Sequence, residues 1–76
     1  METSKLLNKI KGKGLSVRKV VEIMNDEYGI KMDISTFYKK LKDVEQFRAY
    51  EIRAISSILN LSFDEAGSIF FKELVS

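Results

Sequence analysis

A chain with neither cysteine nor histidine has no disulfide and no Cys/His zinc site to hold it together. At 76 residues that absence is decisive, because a domain of this size buries only about 60% of the surface its unfolded chain exposes. Stability must come from close packing of regular elements or from a partner chain. The same two absences remove Ser-His and Cys-His nucleophile pairs and imidazole acid–base chemistry. With no glycine-rich phosphate loop and no nucleotide motif, the pattern points to binding and not to an enzyme, and no cofactor, metal or small-molecule ligand is expected. Glu22, Asp26 and Glu27 are the one acidic cluster that could suggest a hard cation, and exposed acids without a supporting loop make a weak site. A composition 45% apolar and 32% charged is that of a soluble globular domain. No apolar run approaches the roughly 20 residues of a membrane span, and the first residues have no secretory h-region. The expectation is one cytoplasmic domain over residues 1–76, and Met1 with an apolar ending fits a whole protein.

The chain has no proline, so glycines and caps do the punctuation. Leu6, Leu7 and Ile10 followed by Gly12 and Gly14 predict a first helix over about 4–12. Ser16 reads as an N-cap for a second helix over about 17–28, in which Val17, Val20, Val21 and Met24 recur at helical spacing, Tyr28 extends the face and Gly29 ends it. Ile30 and Met32 should pin the connection to the core. Asp33 then caps a third helix over 34–42 with Phe37 and Leu41 turned inward. A polar loop from Asp43 to about Phe47 leads to a fourth helix carrying Ile52, Ile55, Ile58 and Leu59, with Tyr50 a candidate to join them. Asn60 closes it, and Ser62 with Glu65 has capping-box spacing for a fifth helix from 63 to about 69. The stretch Ile69 to Val75 is apolar enough to pack as helix or strand. The fold class is therefore all-α, a bundle of about five short helices.

Charge is unevenly distributed: residues 1–42 hold ten Lys/Arg against five Asp/Glu, whereas residues 43–76 hold three against six. A chain with one basic half suits a polyanionic partner. Lys5, Lys9 and Lys13 share a helix face, which is either solvated or phosphate-facing, and Lys39, Lys40 and Lys42 put cations on the third helix.

The segments from Ser16 to Ser62 resemble the helix-turn-helix region of the phage repressor and Cro (XRE-like) family. The likeness is carried by Leu15-Ser16, by Met32-Asp33-Ile34-Ser35-Thr36-Phe37-Tyr38-Lys39-Lys40-Leu41, and by Phe47-Arg48-Ala49-Tyr50-Glu51-Ile52 with Leu59-Asn60-Leu61-Ser62. The ending Ser68-Ile69-Phe70-Phe71 is similar to small phage regulators of Gram-positive hosts. One departure is the insertion Asn25-Asp26-Glu27-Tyr28-Gly29-Ile30-Lys31, which lengthens helix two where the family has a tight turn. The resemblance implies a lambda-repressor-like fold with a helix-turn-helix at about 17–42, acting as a sequence-specific transcriptional regulator that occupies an operator in double-stranded DNA. In that geometry helix three enters the major groove. Ile34, Ser35, Tyr38, Lys39 and Lys42 would then face bases, and Arg18, Lys19, Lys31, Thr36 and Arg48 phosphates. One such domain reads few base pairs, so a homodimer on a palindromic site is expected, with Ile69, Phe70, Phe71 and Leu74, or the fourth helix, as the dimer surface. A second reading stays open: a small helical interaction module, such as an antirepressor or inhibitor, that turns the same surface to a protein.

Overall fold

The computed structural model describes residues 4–71, which form five α-helices and one turn of 3-10 helix. In chain order these are α1 (Ser4–Gly12), α2 (Val17–Tyr28), α3 (Ile34–Lys42), the 3-10 turn Val44–Gln46, α4 (Ala49–Leu59) and α5 (Phe63–Phe70). The all-α bundle expected from the sequence is the architecture observed.

The boundaries follow from local chemistry. Ser16 caps α2 by accepting the Lys19 N–H at 3.1 Å, which satisfies one of the free amides of the first turn. Gly29 ends the helix in the left-handed region (φ 65°), and the Gly29 and Ile30 N–H groups both donate to the Met24 carbonyl. No neighbour lies within 4 Å of where a Cβ on Gly29 would sit, so the cost of a side chain there is conformational alone. Gly29→Ala is expected to lower stability by roughly 1–2 kcal/mol and Gly29→Asn by less, read from urea midpoints; an unchanged Ala variant would show that the left-handed cap is not needed. Asp33 holds the N-cap position of α3, as expected, but its side chain makes no cap bond.

The core runs through every helix: Leu6 and Ile10 from α1, Val17, Val20, Val21 and Met24 from α2, Phe37 and Leu41 from α3, Ala54, Ile55 and Leu59 from α4, and Ile69 and Phe70 from α5. Ile30 and Met32 are buried and anchor the connection between α2 and α3, as their apolar character implies. Asn25 fastens the same connection: its side-chain amide donates to the Val21 and Met32 carbonyls (2.8 and 3.0 Å), and its Oδ1 accepts from the Met32 N–H at 3.4 Å.

Three expectations need correction. Residues 43–47 are not simply a polar loop, because Val44 and Phe47 are buried. Phe47 is the hub of an aromatic chain, edge-on to Phe37 (ring centroids 5.3 Å) and to Phe70 (5.7 Å), arrangements favoured by the ring quadrupoles. Tyr28 and Tyr50 are exposed, not core. They fall on the solvent side of α2 and α4 while the aliphatic residues of those helices turn inward.

The α1 lysines have a role that charge counting alone does not suggest. Lys9 forms an ion pair with Glu65 (Nζ to Oε2, 2.6 Å), and Lys5 donates to the Ser68 hydroxyl at 2.8 Å, so both tie α1 to α5. Glu65 also completes the capping box, accepting from the Ser62 N–H at 2.8 Å while Ser62 Oγ accepts from Glu65 N–H at 3.1 Å. The Lys9 ammonium first, and the Ser62 N–H second, hold the Glu65 carboxyl down at about 2. A carboxyl with a depressed folded-state pKa contributes stability that is present above its unfolded value of 4.5 and is lost as pH falls toward about 2. The pair is more than a third exposed, so solvent weakens it. A small acid-side loss of stability between those two pH values is expected, and Lys9→Gln should flatten it in a pH series of thermal melts. An identical acid limb in Lys9→Gln would assign the loss to other carboxyls.

Candidate nucleic-acid interface

α3 divides cleanly by helical spacing. Ile34, Phe37 and Leu41 lie at i, i+3 and i+7 and turn inward; Phe37 and Leu41 are buried and Ile34 is half-buried against the core. Ser35, Tyr38, Lys39 and Lys42 lie at i, i+3, i+4 and i+7 and are all exposed, forming one stripe along the outer face. Tyr38 is 48% exposed, so about half of its ring is open to a ligand. The stripe presents a hydroxyl, a phenol and two ammonium groups, a set able to donate to and accept from base edges and phosphates. Neither Lys39 nor Lys42 has an ion-pair partner among the described residues.

Ile34, expected to face bases, belongs with Phe37 and Leu41 instead, so its contribution to the outer face is partial. Thr36, expected near phosphates, is half-buried on the same flank as Lys40.

Lys40 is taken out of the cationic face altogether. Its ammonium reaches both oxygens of Glu51, at 2.8 and 3.0 Å, and lies 5.9 Å from the centre of the Phe47 ring. The side chains are only 16% and 5% exposed. Glu51 has a second duty: its Oε1 accepts the Arg48 N–H at 2.8 Å and so caps the start of α4 from the third helical position. One carboxylate therefore both ties α3 to α4 and caps the start of α4. Sequence spacing hides this, because residue 48 is Arg, which cannot accept a hydrogen bond and so shows no capping signature.

Around the stripe, Arg18 and Lys19 stand exposed in the first turn of α2, Lys31 is exposed in the connection, and Arg48 is exposed at the head of α4. Lys19 bonds Glu22 one turn on, at 3.2 Å, with both side chains 56% exposed, a pair weak enough for another anion to displace. α2 packs directly against α3. The described residues contain no group of three or more acidic side chains able to hold a metal ion, and no helix among them is long and apolar enough to cross a membrane.

The expected dimer surface needs correction. Ile69 and Phe70 are 3% and 2% exposed, because both turn into the core, Phe70 against Phe47; neither can meet a second chain. Phe71 is exposed, and Leu74 lies outside the described residues. Compared with protein-family models, curated proteins and solved structures, the chain matches none of them.

Proposed function

We propose that this protein is a sequence-specific DNA-binding regulator that acts by occupying an operator, with α2 and α3 as a helix-turn-helix and α3 in the major groove. The observation that carries the reading is the exposed Ser35–Tyr38–Lys39–Lys42 stripe on a helix whose opposite side is locked into the core by Phe37 and Leu41. A rigid helix with hydroxyl and ammonium groups along one free edge is what base readout requires. Ser35 and Tyr38 hydrogen-bond to bases or phosphates, Lys39 and Lys42 reach guanine O6/N7 or the backbone, and Ile34 gives at most an apolar edge for a thymine methyl. Arg18, Lys19, Lys31 and Arg48 neutralise flanking phosphates, which set orientation without reading sequence.

A single α3 reads few base pairs, which calls for two copies on an inverted repeat. The role implies a cytoplasmic location and no catalytic step.

Titration of a labelled duplex at several salt concentrations tests this. Four phosphate contacts per protomer predict a log–log slope of about −3 to −4 for each protomer bound. No binding at low salt, or a slope near zero, would refute it.

A further inference from the structure

An apolar opening on the described surface lies away from the α3 stripe, between α4 and α5. It is an open groove of about 860 Å³, lined by Ile52, Leu61, Ala66, Gly67 and Phe71. Phe63 stands at its rim as the first residue of α5 and is 92% exposed. An aromatic ring held in water at a helix start gains nothing within the chain. Gly67, which lines the groove, sits inside α5 with no left-handed backbone to require it, and glycine weakens a helix interior relative to alanine.

We infer that this groove is the homodimer interface, with Phe63 of each copy seated in the groove of the other. Two features of the surface select a second copy as occupant. Among the described residues the groove lining holds one cation, Arg53, and one anion, Asp64, and neither has an ion-pair partner among them. A patch with both a projecting ring and a receiving groove, and with one charge of each sign, is complementary to itself: a two-fold axis sets Arg53 of one copy against Asp64 of the other, twice. The interface also uses α4, whose other side holds Lys40 and α3 through Glu51, so joining two α4–α5 faces orients two α3 helices. The need for two copies rests on the operator reading; the surface that joins them does not, and it is tested without DNA.

Sedimentation velocity of the full chain over a concentration series, with no DNA present, gives the test. The wild type should pass from monomer to dimer in the micromolar range, and Phe63→Asp should weaken dimerisation by roughly tenfold or more. Arg53→Asp and Asp64→Arg should each weaken it by placing like charges opposite one another, and the double swap R53D/D64R should recover most of the loss. Circular dichroism on each variant confirms that helix content is retained. A wild type that stays monomeric at the highest concentration overturns the proposal and leaves the groove to a different protein or to the chain's own last residues. So does a dimer unmoved by Phe63→Asp and by both charge reversals. Neither result touches DNA binding by the single domain.

Discussion

Lys40→Met is expected to lower unfolding free energy by about 3–5 kcal/mol. The substitution keeps the apolar stem that packs near Phe47 and removes only the ammonium that meets both Glu51 oxygens. Glu51 is 3% exposed, so its carboxylate is left buried with a single neutral donor, the Arg48 N–H. A domain of this length has a total stability of roughly 4–11 kcal/mol, which puts the variant near the edge of folding at 37 °C. The reverse truncation, Glu51→Gln, should cost less, because an amide oxygen still accepts the Arg48 N–H and the lysine can swing toward water. Combining the two, K40M/E51Q, should recover part of the Lys40→Met loss by removing the unpaired charge. Urea denaturation of the three variants gives the comparison; a Lys40→Met variant within about 1 kcal/mol of the wild type would mean that the pair is solvated and does not hold α3 against α4.

On DNA, the double variant K39A/K42A is expected to lose about 2–6 kcal/mol of specific binding if each lysine is worth about 1–3. Both side chains are exposed and on the free edge of α3, so folding should be unaffected, which a melting curve confirms. Lys19→Ala should behave differently: it should weaken binding to all duplexes alike and reduce the salt slope by about one. Lys39 and Lys40 are adjacent, yet Lys39 is exposed while Lys40 is held by Glu51, so Lys39→Ala and Lys40→Met separate the proposed binding role of the helix from its packing role. Equal losses on specific and random duplexes for K39A/K42A would remove α3 from the groove and leave a general electrostatic surface.

The helices were legible in the sequence because their ends are marked by local chemistry. Gly12 and Gly14, Ser16, Gly29, Asn60 and the Ser62–Glu65 box each act within a turn of their own position, and each lies at the boundary the structure shows. What could not be read depends on partners far along the chain. Phe47 looks like the end of a polar stretch until α5 delivers Phe70 to it. Glu51 looks like a surface acid on a helix until α3 delivers Lys40 from 11 residues away. Lys9 looks like one more solvated cation until Glu65 arrives from 56 residues away. The same limit applied at the candidate site. Ser35, Tyr38, Lys39 and Lys42 follow from helical spacing once Phe37 and Leu41 are known to point inward. Ile34 lies between the two faces, half-buried against the core beside Phe37, and the sequence alone does not fix how much of it stays on the outer face. Ile69 and Phe70 were misplaced because an apolar ending reads equally well as a core strip and as a surface for a second chain, and only packing against Phe47 decides between them.

The most direct test of the central claim, that α3 reads DNA sequence from a paired molecule, is selection of bound duplexes from a randomised library at near-physiological salt, followed by sequencing. The account predicts enrichment of an inverted repeat whose half-sites are centred about 10–10.5 base pairs apart, or a multiple of that, and loss of the enrichment with K39A/K42A. A bound pool that stays random, with binding that disappears at moderate salt, would contradict it and turn the exposed stripe of α3 toward a protein partner.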